Sequence, residues 1–385
     1  MSASTLNVGT AGMGWMGQLH SRCYRRFTDH FADLEVEFAL CTAATRSTRL
    51  AADATRRWGY RVTTDDAVGM AASDLDVVSI CLPNHEHVAA AVAAAHRGAT
   101  IWIEKPVGRS LAETARVHEA AKLGGSIVGV GYNYRAQPAI AELRRRIKDG
   151  RIGTVHHVRG HYDAGYAADP MTPLTWRYRR DESGGGASSD IMSHLIDLVQ
   201  HVHSPIVSAA ARLKTVHGER PLPSEVGGHF GRTSTEQLGT VDTDDLAAAL
   251  VTFGDGSLGS LDASRISHSG ENSLSVEFHG SDGYAHWDSE KPNEFLWREH
   301  GQAHVSRVLT DTSMSDLGRF QPGPGLGIGF DEVKLIELAN LMRLRAGRPS
   351  DTATIDDALS VARVVDALQH AADSDGWIRI GVEDR

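Results

Sequence analysis

Along about the first 130 residues, short and nearly unbroken apolar runs alternate with longer stretches in which apolar residues recur every three or four positions. Leu6-Asn7-Val8 leads into a glycine-rich loop, and the spacing after it predicts a helix to about Phe27. Leu34 to Cys41 predicts a second strand and Ser47 to Trp58 a second helix. Asp76 to Leu82 is apolar almost throughout, which marks a strand buried on both faces. The Ala-rich run His85 to Arg97 predicts a helix with Gly98 as its cap. Thr100 to Ile103 follows as a strand, Leu111 to Leu123 as a helix and Ile127 to Val130 as a further strand. Strands alternating with helices build parallel βαβ units, so this region predicts a doubly wound parallel sheet.

Beyond Gly131 the period changes. Pro138 to Lys148 reads as one amphipathic helix, ended by Asp149-Gly150. Strands then dominate: Thr154 to Tyr162, Val207 to Val216, Leu246 to Phe253, Leu258 to Ser264 and Leu274 to His279, with Gly254-Asp255-Gly256 as a hairpin turn. Two helices close the chain, Asp331 to Leu344 and Ile355 to Ala372. The polar, Gly- and Pro-rich stretch His217 to Thr240 predicts a long surface loop. The expected fold class is α/β, an N-terminal doubly wound sheet over 1–131 and an α+β domain with a large, mainly antiparallel sheet over 132–385.

Composition narrows the function. With 385 residues, 41% of them hydrophobic, the chain can bury the cores of two domains. A formal net charge of −10 without basic runs argues against nucleic acid and anionic membrane surfaces as partners. Cys23, Cys41 and Cys81 form no CxxC and no even framework, which fits a reducing cytoplasm. No apolar run approaches the ~18 residues of a membrane helix, and Met1 to Leu6 lacks the order of a signal peptide.

Gly12, Gly14 and Gly17 space a G-x-G-x-x-G between the first strand and the first helix, where such a loop cradles a dinucleotide pyrophosphate on helix-start amides. Met13, Trp15 and Met16 belong to the same loop. The second strand ends in Thr42-Ala43-Ala44-Thr45-Arg46 and lacks the acid that accepts from an NAD ribose. Thr42 and Arg46, with Arg49 nearby, would accept a 2′-phosphate, so NADP is the expected cofactor, with NAD as the alternative.

Two further strands end in Leu82-Pro83-Asn84-His85-Glu86-His87 and Glu104-Lys105-Pro106, at the edge where doubly wound sheets bind ligands. The chain has six lysines against 33 arginines. A Lys directly after Ile101-Trp102-Ile103 therefore points to its own chemistry, stabilising a developing alkoxide. In the second domain, Ser188 or Ser189 would cap a helix that puts Asp190 and His194 on one face, continued by Asp197 and His201. That stripe reads as an acid–base unit, as a metal site, or as a solvated polar face.

Taken together, these motifs resemble the Gfo/Idh/MocA oxidoreductases over nearly the whole chain. The resemblance rests on the loop at 12–17, Pro83-Asn84-x-x-His87, Glu104-Lys105-Pro106, Gly131-Tyr132-Asn133-Tyr134-Arg135 and Gly185 to Asp197. Pro173-Leu174-Thr175-Trp176-Arg177 and Glu271-Asn272-Ser273-Leu274 resemble the sugar and cyclitol branches. The resemblance implies a Rossmann domain followed by a substrate-binding and oligomerisation domain. It implies Lys105, Asp190 and His194 as catalytic residues. With the loop and the end of the second strand read above, the expected cofactor contacts are Gly12, Met13, Gly14, Trp15, Met16, Thr42, Arg46, Leu82, Pro83, Asn84, His87, Glu104, Lys105, Trp176 and Arg177. The implied substrate contacts are Lys105, Asn133, Arg177, Asp190 and His194. No metal is implied. One departure is Met192, where the family often has Gly between the Asp and the His. The expected activity is NAD(P)-dependent interconversion of a ring secondary alcohol and ketone in a sugar or cyclitol, by a homo-oligomer, dimer or tetramer. The rivals are a glycosidase that oxidises its sugar transiently and a non-catalytic dinucleotide-binding regulator.

Overall fold

The computed structural model describes residues 4–223, 237–269 and 272–381. Glu271 and the part of the expected loop at 224–236 lie outside them. In chain order, β1 (Ser4–Ala11) and α1 (Trp15–Phe31) are followed by β2 (Val36–Ala44), α2 (Thr48–Asp53), β3 (Val62–Thr64), α3 (Ala67–Ala71), β4 (Val77–Ile80), α4 (Asn84–Ala95), β5 (Thr100–Ile103), α5 (Leu111–Gly124) and β6 (Val128–Val130). Then come α6 (Pro138–Lys148), β7 (Val155–Ala164), α7 (Arg180–Ser183), α8 (Ala187–Asp190), α9 (Met192–Val202), β8 (Ile206–Lys214), β9 (Glu219–Pro221) and β10 (Leu238–Thr240). Six strands follow: β11 (Leu246–Phe253), β12 (Leu258–Ser264), β13 (Asn272–Gly280), β14 (Tyr284–Asp288), β15 (Glu294–Arg298) and β16 (Ser306–Leu309). The chain closes with α10 (Phe330–Arg345), β17 (Ala353–Thr354), α11 (Ile355–Ser374) and β18 (Ile378–Arg379).

The chain forms two compact units, Met1–Gln137 with Asp311–Leu359, and Pro138–Thr310 with Ser360–Arg385. The first holds a sheet in the order β17-β6-β5-β4-β1-β2-β3. β6 to β3 run parallel, and the short β17 pairs antiparallel on the edge. The order reverses at β1, between β4 and β2, which is where such sheets open a crevice beyond their carboxyl ends. Val77, Val78 and Ile80 of β4 and Ile101 to Ile103 of β5 are buried, as their unbroken apolar runs require. Leu19, Phe27 and Phe31 of α1 and Val333, Ile336 and Leu341 of α10 share one core with Val8 and Trp102. The helix expected at 331–344 thus packs with the parallel sheet, a return that local periodicity does not encode.

The second unit holds a nine-stranded sheet, β16-β15-β14-β13-β7-β12-β11-β8-β18, antiparallel except where β7 meets β12. Strands β14 to β16 extend it beyond the expected set, with Trp287, Phe295 and Trp297 buried. Within the expected surface loop, β9 and β10 form a short antiparallel ladder. Helix α9 lies against the sheet so closely that a Cβ on Gly160 of β7 would sit 2.6 Å from Leu195 Cδ1. That approach fixes the helix carrying His194.

Candidate functional site

The glycine loop has the geometry of an anion cradle. Gly12 sits at φ +87°, and a Cβ there would stand 2.3 Å from the Cys81 carbonyl oxygen. A Cβ on Gly17 would lie 1.8 Å from the Gly12 carbonyl oxygen, so strand and helix meet only because both residues are glycine. Gly14 differs: no atom lies within 4 Å of its Cβ position, and as the N-cap of α1 it supplies no side-chain bond to the first-turn amides. An open backbone at the start of a long helix fits a dinucleotide pyrophosphate. Met13 is buried, Met16 half-buried, and Trp15 is exposed and stacked on Phe330 at 5.3 Å between ring centroids.

At the end of β2, Thr42 is half-buried and Arg46 is largely exposed. Arg46 Nη2 donates to Glu86 Oε1 at 2.7 Å, and Arg49 pairs with Asp53 at 3.5 Å. After β4, Pro83 is the N-cap of α4, while Leu82 is half-buried and Asn84 buried. His87 is buried with its ring nitrogens 2.8 Å from the carbonyl oxygens of Pro106 and Leu82. Burial holds the ring below its ordinary pKa, and a neutral ring donates to one of these carbonyls at a time. His87 thus ties the loop after β4 to the turn after β5.

Lys105 is half-buried at the end of β5. Its neighbour Glu104 belongs to a buried network that sequence reasoning did not foresee. Glu104 Oε1 accepts from Lys334 Nζ at 2.7 Å and from His20 Nε2 at 3.1 Å. Lys334 also donates to Glu337 Oε1 at 2.6 Å, as does Trp102 Nε1 at 2.6 Å. His20 stacks on Trp102 with centroids 3.4 Å apart. Its Nδ1 lies 3.1 Å from Ser79 Oγ, which in turn lies 2.6 Å from the Tyr24 hydroxyl. The proton pattern follows: Tyr24 donates to Ser79, Ser79 to Nδ1, and Nε2–H to the carboxylate. Burial lowers His20 to about 4, so the ring is neutral. Burial alone would raise Glu104, but the Lys334 charge and the His20 bond hold it well below the usual carboxylate range. Burial pushes Glu337 up to about 7, against the pull of Lys334 and with the Glu104 charge adding to the rise. Asn133 is buried in a turn after β6.

In the second unit, the start of α8 is held by Asp244 rather than by Ser188 or Ser189 acting as a cap. The Asp244 carboxylate accepts from Gly186 N at 2.9 Å, Ser188 N at 2.7 Å and Ser188 Oγ at 2.9 Å. The expected single helix is broken at Ile191, so Asp190 ends α8 and His194 lies in the first turn of α9. Asp190 Oδ2 accepts from the Tyr166 hydroxyl at 2.8 Å and lies 3.8 Å from Arg177 Nε. The Arg177 guanidinium stands 4.2 Å from the Trp176 ring centroid. His194 is 8% exposed and Asp197 1%, so this stripe is not a solvated face. Among the described residues no cluster of three or more His, Cys, Asp or Glu side chains could hold a metal. Tyr166 was missed because a lone Tyr beyond a strand carries no local signal. The same holds for Glu86 and for the partners of Glu104.

Comparisons with known proteins point the same way. A model of an oxidoreductase family with an NAD-binding Rossmann fold matches residues 6–132, and one of the GFO/IDH/MocA C-terminal domain matches 140–286. Levoglucosan dehydrogenase of Pseudarthrobacter phenanthrenivorans is 32% identical over 97% of this chain and 98% of its own. scyllo-Inositol 2-dehydrogenase (NAD(+)) of Bacillus subtilis is 29% identical over 54% of each chain. Among solved structures, a levoglucosan dehydrogenase in complex with NADH and levoglucosan superimposes with a TM-score of 0.91, at 32% identity, covering 98% of this chain and 100% of that one. No helix among the described residues is long and apolar enough to cross a membrane.

Proposed function

The chain belongs to the Gfo/Idh/MocA family of NAD-binding oxidoreductases, and from that premise we propose that it interconverts a ring secondary alcohol and its ketone in a sugar or cyclitol. The observation that carries this reading is the Asp190 carboxylate, held by Tyr166 and Arg177 and followed four residues later by the buried His194. A carboxylate and a buried imidazole four residues apart are groups that can together move a hydroxyl proton. In the oxidation direction His194 takes that proton and Asp190 orients the ring. Lys105 supports the oxygen as negative charge grows on it. When bound, the nicotinamide supplies the hydride acceptor. Arg177 and Asn133 are assigned to substrate hydroxyls. Trp176, with Arg177, is assigned to the cofactor, as are Met13, Trp15, Met16, Leu82, Pro83, Asn84 and His87. Glu104 is assigned to the edge of the cofactor and Lys105 to both ligands.

The residues around Gly14 fit a dinucleotide. For its 2′ position, the missing acid at the end of β2 and the presence of Arg46 support NADP, while the NADH complexes of a levoglucosan dehydrogenase support NAD. Three free cysteines support a reducing cytoplasm. Exposed Leu250, Leu258 and Trp377 in the second unit support a homo-oligomer.

The test is a fluorescence titration with NADH and NADPH, read through energy transfer from Trp15. A turnover screen with levoglucosan, L-sorbose and scyllo-inositol follows. Micromolar binding of a reduced cofactor and turnover of any such polyol or ketosugar support the reading. Tight binding without turnover of any hydroxylated ring would refute it.

A further inference from the structure

We infer that Glu86 sets the cofactor preference of this chain and turns it toward NAD, an assignment that rests on the dinucleotide reading of the glycine loop. A dinucleotide on that loop brings its adenosine ribose to the end of β2. No residue from Leu40 to Arg46 offers a carboxylate there, so the strand by itself favours a 2′-phosphate on Arg46. The fold supplies the missing acid from another strand end. In the sheet order β4-β1-β2, the residues after β4 stand near those after β2, and Glu86 in the first turn of α4 reaches Arg46 Nη2 at 2.7 Å. The same Glu86 oxygen lies 3.4 Å from His85 Nε2.

Exposure separates the two partners. The Arg46 side chain is 75% exposed and that of Glu86 25%, so the carboxylate is the fixed member and the guanidinium the arm that swings. A 2′-phosphate would have to take Arg46 from Glu86 and then lie beside the carboxylate it had stripped. Like charges at that range repel, and the exposed Arg46 repays little of the cost. A 2′-hydroxyl meets no such charge and donates to the same carboxylate. Arg49, farther along α2, already has the Asp53 carboxylate beside it at 3.5 Å.

The test measures Kd for NADH and NADPH by fluorescence in wild type, Glu86→Gln, Arg46→Ala and the double variant. Wild type binds NADH more tightly. Glu86→Gln tightens NADPH about tenfold relative to NADH, since one unit of repulsion is removed and Arg46 is released. In the double variant the part of that gain supplied by Arg46 disappears while the relief of repulsion remains, so its NADPH-to-NADH ratio falls between those of Arg46→Ala and Glu86→Gln. Tighter NADPH binding by wild type, or a ratio unchanged within about twofold in Glu86→Gln, overturns the assignment and leaves the dinucleotide reading standing. Binding of neither cofactor by folded wild type overturns both.

Discussion

The buried Glu337 makes stability depend on pH in a direction opposite to that of most carboxylates. Glu104 and Glu337 share a single cation, Lys334, and His20 is too deeply desolvated to supply a second. Glu104 keeps its charge, so Glu337 bears the cost and titrates near 7 instead of 4.5. Between those two values the folded protein retains a proton that the unfolded chain has released. The group's contribution to stability is full below about 4.5 and is lost as pH rises through about 7. A gap of this size corresponds to about 3 kcal/mol, undiminished by solvent because the site is closed. Glu337→Gln removes the titration. The Gln oxygen can still accept from Trp102 and Lys334, while its nitrogen replaces Oε2, a buried atom that has no partner in the described structure. The variant therefore carries a constant penalty together with a benefit that grows with pH. Urea unfolding of both proteins from pH 4.5 to 8.5, followed by far-UV circular dichroism, separates the two effects. The stability of the variant relative to wild type should climb by about 3 kcal/mol across that range, or about 6–12 °C in apparent Tm. Parallel profiles with a fixed offset would refute the reasoning, since they would mean that Glu337 titrates alike in both states.

Lys105→Ala and His194→Ala should each lose about 10²–10⁴-fold in turnover while still binding reduced cofactor, measured by steady-state kinetics and fluorescence titration. Gly14→Ala should fold with Tm unchanged within about 1 °C, since nothing lies within 4 Å of its Cβ position, yet weaken dinucleotide binding at least about tenfold because the methyl fills the open side of the cradle. Gly17→Ala should instead lower Tm sharply, because its Cβ meets a backbone oxygen that cannot move aside. Full turnover should survive dialysis against EDTA, and loss of activity restored by a divalent metal would contradict the acid–base assignment.

The parallel sheet was legible because its signals are local. Val77 to Ile80 and Ile101 to Ile103 announce strands covered on both faces, and the glycines at 12, 14 and 17 announce a turn that only glycine can make. The break at Ile191 was not legible: Asp190 and His194 at i, i+4 fit an unbroken helix equally well, and Asp244, which holds the start of α8, lies more than fifty residues away. Strands β14 to β16 were not legible because they are only four or five residues long. Their register is set by β13 rather than by their own pattern.

The rarity of lysine in this chain sets Lys334 apart as it does Lys105. Between Val333 and Met342, helix α10 is apolar except for Lys334, Glu337 and Asn340, spaced three apart on one stripe, and all three are buried. On a surface helix such a stripe faces water and consists of arginine or of any other charged residue this chain prefers. A single Lys and a Glu one turn apart, flanked by Val, Leu and Ile, do not suit that role, because nothing solvated demands a compact ammonium there. The stripe makes sense only if another element buries it and presents a carboxylate and an indole N–H of its own, as Glu104 and Trp102 do from 230 and 235 residues away. A polar stripe too narrow for a solvent face is thus readable as one half of a buried network. What the sequence withholds is the other half, because no local period links β5 to a helix that returns from the far end of the chain.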